Sequence, residues 1–399
     1  MSAIADPIAR GARPAGPRTA AVAAPFVVRV ADGFDAARDA WTALEAEAPH
    51  SGYQRLAWQE SFHGHLAEGA ACCIAVVEDA FGRPQALLPF AVARRHGLSV
   101  AAFIGGKHAN FAMGLWRPAF ARTLTAADLD RILHAVADRS PHPVDLFDLA
   151  NQPASWAGLA NPFALLPHRP SPSFGYHLAL GPDADAVLER VVSSASRRKL
   201  RKKEKTLGER GPVHFVVARE PSEIARFADT FLAYKAQRFA ELGIPNVFGV
   251  PGMRDFILAA ASGPAPAIEL CALKAGDEIV ALFGGCIADG RYSGMFNAMA
   301  PGEVQRESPG ELLLHHLIRH CCARGLTVFD LGAGEAGYKS NICDGVDPLF
   351  DQSVAVTWKG ALASRALDGL GRLKRAAKQS AWLWPLIVRL RRWRGRAAA

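Results

Sequence analysis

Residues 295–339 read MFNAMAPGEVQRESPGELLLHHLIRHCCARGLTVFDLGAGEAGYK. A strand-like start leads into a loop, an apolar run with helical spacing, and a second strand-like run. The loop ends in Q-x-x-S-P-G, where Ser308 suits a helix N-cap and Pro309 suits the first turn. The unpaired N–H groups at a helix start can bind an anion. The stretch predicts strand, loop, helix and strand, with either an ordinary capped helix start or an anion site.

The two halves of the chain resemble each other. Residues 147–150 read FDLA and residues 329–332 read FDLG, each at the end of a helix-then-strand pattern. Upstream, a hairpin turning at Arg83-Pro84 corresponds to one turning at Gly276-Asp277. Because order and spacing agree as well as the short matches, we expect a tandem duplication of one α+β unit.

The length of the chain also favours two units, since single cores stop growing near ~250–300 residues. A proline-rich stretch at residues 161–173 marks the boundary. We expect four regions: a disordered leader (1–25), an N-terminal unit (26–175), a C-terminal unit (176–360) and a basic, tryptophan-containing tail (361–399).

The net charge of +8 is concentrated in two segments. Residues 361–399 contain ten Arg or Lys and one acid, and residues 197–210 contain eight basic and two acidic residues. The rest of the chain is close to neutral, so the composition does not predict a DNA-binding domain. The run at 197–210 is either a solvated helix face or a site for an anionic partner.

Several classes of protein are excluded by missing patterns. No apolar run reaches the ~18 residues of a membrane-spanning helix, and the N-terminus lacks a compact signal-peptide core. The seven cysteines include no C-x-x-C pair, which indicates free thiols and a cytoplasmic protein. Serine hydrolase and P-loop motifs are absent. His316 and His320 have ligand-like spacing but no accompanying acid, so we expect no metal.

At this level of detail the sequence resembles the Gcn5-related N-acetyltransferase (GNAT) superfamily. Gln305 and Gly310 match its Q/R-x-x-G-x-G/A loop, whereas Ser308 replaces the first glycine. The ordered set of RRKLRKKEKTLGERG, YKAQRFAELG, SPGELLLHHLI and FDLGAGEAGYK resembles its CelD/BcsL-like branch, linked with cellulose and exopolysaccharide biosynthesis, and the tandem FemABX transferases. The resemblance implies two GNAT-like units, each with a mixed, mostly antiparallel sheet flanked by helices.

The resemblance also implies a site for acetyl-CoA or another acyl-CoA as co-substrate. The residues expected to bind it lie on one strand end and the following loop: Ala298, Gln305, Arg306, Ser308, Gly310 and Glu311. Tyr338 is the expected acid for the departing thiolate, because phenol and thiol pKa values are close. Glu335 is the expected base. Tyr338 also suits a wedge between strands.

Three further residues are expected to bind the acceptor, each with an alternative. Arg238 orients substrate or pairs with Glu241, Asp330 is substrate-orienting or structural, and Lys339 contacts an acidic group or faces water. The glycines of FDLGAGEAG also form a G-x-G-x-x-G pattern. No train of βα units follows it, which argues against a dinucleotide or S-adenosylmethionine site.

We therefore expect an acyl-CoA-dependent N- or O-acyltransferase acting on a small acceptor related to the cell envelope or to polysaccharides. Two alternatives stay open: a Fem-like transferase that uses aminoacyl-tRNA, and an inactive scaffold in a polysaccharide-synthesis complex. Only the first alternative involves tRNA. The tail carries three tryptophans at 382–393 among arginines. It suits either peripheral contact with the inner face of a membrane or packing on the protein itself.

Overall fold

The computed structural model describes residues 26–334, 339 and 341–379. The expected leader and most of the expected tail lie outside these residues. The first half of the chain contains nine strands and four helices among the described residues: β1 Phe26–Ala31, α1 Arg38–Glu47, α2 Leu56–Leu66, β2 Ala71–Asp79, β3 Pro84–Arg95, β4 Leu98–Phe103, β5 Leu115–Trp116, α3 Pro118–Ala121, α4 Ala126–Arg139, β6 Leu146–Pro153, β7 Ser155–Trp156, β8 Leu159–Ala160 and β9 Arg169–Pro170.

The second half repeats the alternation of helices and strands. Its elements, again among the described residues, are β10 Gly175–Ala179, α5 Ala184–Val191, α6 Ser194–Leu207, β11 Val213–Val217, α7 Pro221–Leu242, α8 Met253–Ala261, β12 Glu269–Ala275, β13 Glu278–Ala288, β14 Arg291–Met299, α9 Pro309–Ala323, β15 Val328–Ala333, β16 Gly345–Asp347, β17 Leu349–Ala355 and α10 Trp358–Gln379.

Two mixed sheets with the same strand logic organise the molecule. The first runs β1-β2-β3-β4-β6-β17-β9, with β5 beside β3, and the second runs β11-β12-β13-β14-β15-β10-β16. In each, four antiparallel strands lead to one parallel pair, β4 with β6 or β14 with β15. The FDLA and FDLG matches lie on β6 and β15, the equivalent parallel strands. The expected tandem α+β fold is confirmed.

The last strand of the second half crosses into the first sheet. The strand that follows the first unit, β10, pairs with β15 in the second sheet. The strand that ends the second unit, β17, pairs with β6 in the first sheet, through contacts such as Ser353 with Asp148. Residues 349–355, which the sequence assigned to the C-terminal unit, thus belong to the first sheet, because their hydrogen-bond partners are there. The boundary at residue 176 itself stays a prediction.

The helices cover these sheets through apolar faces. In α4, Leu129, Ile132, Leu133 and Val136 are fully buried, and Thr125 with Asp128 forms a capping box at its start. α9 packs against β12, β13 and β14, and α10 packs against β17 and β6. No helix of the described ranges is both long and apolar enough to cross a membrane.

Candidate functional site

A gap opens in the second sheet where β14 and β15 separate. Their parallel pairing extends only from Arg291 to Ser293 on β14, opposite Val328 to Asp330 on β15. β14 continues beyond that point to Met299 and stays paired with β13 on its other side. An edge of β14 therefore faces the gap without following β15, and a ligand can reach the strand there.

The helix that follows the gap begins at a residue in the left-handed conformation. Ser308 precedes α9 with φ 51° and ψ 51°, a backbone conformation that favours glycine. Its carbonyl accepts a hydrogen bond from the Leu312 amide, but its side chain makes no cap bond. The Ser308 hydroxyl instead accepts a hydrogen bond from Lys203 Nζ at 2.6 Å. The expected side-chain cap is thus wrong, and the left-handed backbone explains why related loops carry glycine here.

A cavity of about 520 Å³ lies at this helix start, and we call it the α9 cavity. Five of the six residues expected to bind the cofactor line it: Ala298, Gln305, Ser308, Gly310 and Glu311. The sixth, Arg306, does not line this cavity; it is exposed and lies 3.3 Å from Glu303. The cofactor roles of all six residues stay predictions, and only Arg306 among them lies outside the cavity that would hold the cofactor.

The opposite wall of the α9 cavity is the start of the basic helix α6. Ser193 and Ser196 line the cavity, and Ser193 accepts the Ser196 amide as the N-cap of α6. Two helix N-termini thus face one cavity, and each presents N–H groups and the positive end of its dipole. Lys203 adds a cation at the α9 start. The electrostatics suit a polyanionic ligand such as a pyrophosphate.

The absence of a side chain at Gly310 leaves space for the side chain of Met299. A Cβ built on Gly310 would lie 2.6 Å from Met299 Sδ, well inside van der Waals contact. Both residues line the α9 cavity. A larger residue at position 310 would therefore push Met299 or fill the cavity.

The register of β14 decides which amides face the gap. Ala300 N donates to Val280 O at 3.0 Å, and bonded pairs alternate along antiparallel strands. The amide of Ala298, two residues earlier in the same register, therefore faces β13. The amides of Asn297 and Met299 face the gap. Ala298 lines the cavity as expected, and the two amides beside it in the strand are the ones directed at the gap.

Three further cavities lie on the other side of the gap and meet at Asn110 of the first unit. The inter-unit cavity of about 850 Å³ is bounded by Gly105, Asp148 and Ala333 among others. The phenylalanine cavity, about 150 Å³, lies between His108, Phe248 and Phe296, and the junction cavity, about 270 Å³, lies between Lys235, Phe283, Asn297 and Lys339. Asn110 lines all three.

The junction cavity and the α9 cavity share two lining residues, Phe283 and Asn297. Asn110 holds the first unit against this point, since its Nδ2 donates to Gly294 O at 3.0 Å and to Tyr53 Oη at 2.6 Å. Gly332 makes this approach possible: it has φ 75°, and a Cβ there would lie 2.4 Å from Asn110 Nδ2. Ligands from the two sides could therefore meet beside Asn297.

The expected acceptor residues occupy three different environments. Arg238 is exposed, lies outside these cavities and is 3.3 Å from Glu241, as the alternative interpretation had it. Lys339 is buried and lines the junction cavity, and its Nζ donates to Gly332 O at 3.1 Å and Ala333 O at 3.2 Å. The alternative that Lys339 faces water is therefore wrong.

Asp330 is fully buried in the sheet and does not line these cavities. Its carboxylate accepts hydrogen bonds from Arg291 Nε and Ser293 Oγ, both at 3.1 Å. Burial raises the pKa of Asp330, against the opposing effect of Arg291. The arrangement favours the structural alternative for Asp330, which fixes Arg291 over the Trp156 ring at 4.2 Å.

Tyr338 and Glu335, the expected acid and base, lie outside the described residues. The two histidines with ligand-like spacing diverge: His316 Nε2 is 2.7 Å from Glu204 and His320 Nε2 is 3.1 Å from Glu269. Within the described part of the chain, no group of three or more His, Cys, Asp or Glu is arranged to hold a metal ion.

Sequence reasoning missed three residues of this site. Lys203 lies within the basic run, but nothing in the run distinguishes it from its neighbours. Lys235 lies one helical turn before Arg238, on the face that turns toward the gap. Asn110 acts across the two units, at a sequence distance that no local pattern reveals.

Comparison with known proteins agrees with this geometry. Residues 194–340 match the family model described as acetyltransferase (GNAT) domain. That range contains α6, the gap and the start of α9, so the main elements around the α9 cavity lie within the match. The protein is an acyltransferase. No curated protein sequence matches the chain.

Solved structures are similar to this chain at low sequence identity, and the fold is shared with that of FemX. The crystal structure of FemX is similar over 79% of this chain and 95% of that chain, with 10% identity and a TM-score of 0.56. The C-terminal domain of a putative lysylphosphatidylglycerol synthetase from Agrobacterium fabrum covers 83% of this chain and 95% of its own, with 11% identity and a TM-score of 0.49. A tandem GNAT protein from the clavulanic acid biosynthesis pathway covers 83% and 98%, with 12% identity and a TM-score of 0.45.

Proposed function

We propose that this protein transfers an acyl group from coenzyme A to the amine or hydroxyl of a small acceptor. One observation carries the proposal: cavities on the two sides of the β14–β15 gap share Phe283 and Asn297. The α9 cavity would hold the donor, with its pyrophosphate between the two helix starts and Lys203. The acceptor would enter from the junction and inter-unit cavities.

The reaction would be a direct attack in a ternary complex. The acceptor nitrogen or oxygen adds to the thioester carbonyl, the new bond to carbon forms, and the carbon–sulfur bond breaks. The gap-facing amides of Asn297 and Met299 would donate to the carbonyl oxygen as it gains negative charge. The acceptor loses a proton to a base and the thiolate gains one from an acid. Glu335 and Tyr338 are the proposed base and acid.

The CelD/BcsL-like resemblance is the basis for the proposed acceptor class, a molecule related to the cell envelope or to polysaccharides. The proposed cytoplasmic location rests on the free cysteines, and the proposed peripheral membrane contact rests on the tryptophans and arginines of the tail. The contact has a further basis: the outer face of α10 exposes Leu362, Leu370 and Leu373, while Arg375 on the inner side donates to Ser171 O at 2.7 Å. Lys359 and Arg372 add positive charge to the exposed side.

The aminoacyl-tRNA alternative has its own supporting observation. Arg198, Lys199, Arg201, Lys202 and Lys205 of α6 are all exposed. Such a helix suits a phosphate backbone, and the fold is shared with FemX. This alternative predicts tRNA binding that weakens steeply with salt and does not respond to coenzyme A. The inactive-scaffold alternative predicts no turnover with any donor.

Thermal unfolding in the presence of ligands tests the proposed donor. Acetyl-CoA at millimolar concentration should raise the Tm of the full chain, because a ligand that binds only the folded state stabilises it. S-acetyl-N-acetylcysteamine, a thioester without pyrophosphate or nucleotide, should leave the Tm unchanged at the same concentration. Gly310→Val, which would crowd Met299, should unfold cooperatively but lose the shift. An unchanged Tm of the wild type with acetyl-CoA would overturn the proposal.

A further inference from the structure

The ionisable side chains on the acceptor side of the gap are all basic where the two smaller cavities meet. Lys235 and Lys339 line the junction cavity, and Lys107 and His108 line the phenylalanine cavity. Among the described lining residues of these two cavities there is no carboxylate. Burial and neighbouring Lys107 lower the pKa of His108 to about 4, so the positive charge at neutral pH comes from the lysines.

Among these basic side chains, Lys235 is the one whose surroundings most favour binding of an anion. It is half-buried on α7, and its Nζ lies 5.4 Å from the centre of the Phe248 ring and 5.8 Å from that of Phe239. No carboxylate of the described residues pairs with it, whereas Arg238, one turn later, is paired with Glu241. Burial and the charge of Arg238 lower the pKa of Lys235. The chain thus holds an ammonium group at a cavity wall at a cost in solvation.

The carboxylates of this side of the gap lie at the other end. Glu68, Asp148 and Asp351 line the inter-unit cavity together with Arg95 and Lys107. An elongated ligand therefore meets charges of both signs in the inter-unit cavity and only basic ionisable groups at the junction. Aromatic surface from Phe248 and Phe296 lies beside the lysines. Position, charge and apolar surface all favour the same orientation of a bound molecule.

We infer that the acceptor carries an anionic group, a carboxylate or a phosphate, that binds Lys235 beside an apolar portion packed on Phe248. This inference rests on the proposed function and specifies its acceptor. The anion neutralises the half-buried ammonium group, and the nucleophile then lies on the Asn297 side. Lys339, fixed by the carbonyl oxygens of Gly332 and Ala333, adds to the positive field without moving.

Protection of Lys235 from an amine-reactive reagent tests the inference without any turnover. The full chain is labelled alone, with phenylacetate, with its uncharged analogue phenylacetamide, or with inorganic phosphate, and the modified fraction of each lysine is measured by mass spectrometry. Phenylacetate or phosphate should slow labelling of Lys235, and phenylacetamide should not. The stronger of the two anions identifies the class. Lys274 on β12, outside these cavities, is the internal control.

A variant pair gives a second readout. Lys235→Met keeps the length and apolar character of the side chain, and it should weaken binding of the protecting anion about tenfold in calorimetry, as expected for one charge-assisted hydrogen bond. Lys235→Arg should retain binding. Equal labelling of Lys235 with and without both anions would overturn the inference. If acetyl-CoA still raises the Tm in that case, the proposed function is retained and only the anionic acceptor is rejected. If the anions protect Lys235 but acetyl-CoA does not raise the Tm, the anion site is retained and coenzyme A is rejected as the donor.

Discussion

Lys203 Nζ donates a hydrogen bond to Ser308 Oγ at 2.6 Å, and this contact joins the basic helix α6 to the start of α9. The two residues are 105 positions apart in the chain. The contact places one cation of the basic run beside Ser308, a lining residue of the α9 cavity, whereas Lys202 next to it is exposed. The neighbouring lysines thus differ in their surroundings although the sequence gives them the same appearance.

Replacing Lys203 with Met should therefore weaken binding of the proposed donor, acetyl-CoA. Loss of one cation beside a bound pyrophosphate should raise the KM for acetyl-CoA about tenfold and change kcat much less. Steady-state release of the coenzyme A thiol measures both constants. Lys202→Met is the matched control and should leave KM near the wild-type value. Equal effects of the two variants would mean that the basic face acts as a whole and that Lys203 contributes no more than Lys202, which would contradict this prediction.

Substitutions at position 308 should show how much the left-handed backbone of a residue with a side chain lowers the free energy of unfolding. Ser308→Gly and Ser308→Ala both remove the hydroxyl that binds Lys203, but only glycine adopts φ 51° without strain. We expect the free energy of unfolding of Ser308→Gly to exceed that of Ser308→Ala by about 1 kcal/mol. Urea unfolding followed by circular dichroism measures the difference. If the alanine variant is equally stable, the backbone at this position is not left-handed in solution.

Asn110 should be needed for the acceptor and not for the donor. Asn110→Ala removes hydrogen bonds to Tyr53 Oη and Gly294 O, which would cost about 1–3 kcal/mol of stability where the partners stay buried. The KM for the acceptor should rise, because Asn110 lines all three acceptor-side cavities. The Tm increase caused by acetyl-CoA should persist in this variant. Loss of that increase would place Asn110 on the donor side instead.

Acidification should destabilise the protein partly through His315. Burial lowers the pKa of this imidazole to about 4, and its Nε2 has no hydrogen-bond partner among the described residues. Because the unfolded chain takes up this proton near pH 6.5, stability that is present above pH 6.5 is lost as the pH falls toward 4. His315→Leu should reduce that loss by about 2–3 kcal/mol. Urea unfolding at pH 7 and pH 4.5 measures it.

The control for this experiment is His214→Leu, which replaces an exposed imidazole on β11. In this variant the free energy of unfolding should change between pH 7 and pH 4.5 by the same amount as in the wild type. If both variants change the pH dependence equally, the effect belongs to the overall charge and the burial of His315 is not its source.

The proposed membrane contact should depend on the outer face of α10. Deleting residues 361–399 would also remove a helix that packs on β17 and β6, so substitution is the cleaner test. A variant with Leu362, Leu370 and Leu373 changed to Ser should float less with anionic vesicles than the wild type, since it loses exposed apolar area. Neutral vesicles should bind both proteins weakly. Equal flotation of the two proteins on anionic vesicles would contradict the contact.

Local patterns predicted the local elements well. The hairpin around Arg83-Pro84 is formed by β2 and β3, and the hairpin turning at Gly276-Asp277 is formed by β12 and β13. The Q-x-x-S-P-G loop indicated a helix start, and α9 begins at Pro309. In each case residues close in sequence supply the turn chemistry and the apolar spacing, so the signal is contained in a short window.

Contacts between distant residues could not be predicted in this way. The sequence of β17, LFDQSVA, is compatible with either sheet, and only the partner strand decides which one it joins. Lys203, Lys235 and Asn110 each acquire their role from a neighbour in another element. Arg238 has the same charge as Lys235 and lies on the same helix, but a difference of three positions leaves it beside Glu241 at the surface.

The position of β17 in the first sheet has a consequence for how the protein is made. A ribosome releases the N-terminal half first, yet β6, which pairs with β4 on one side, acquires its second neighbour only when residues 349–355 have emerged. Until then the nascent first sheet presents the backbone of Leu146–Pro153 as an open edge, which is a template for unwanted pairing with other chains. The first sheet thus cannot close until synthesis has passed residue 355, and its edge stays open while the second half is made.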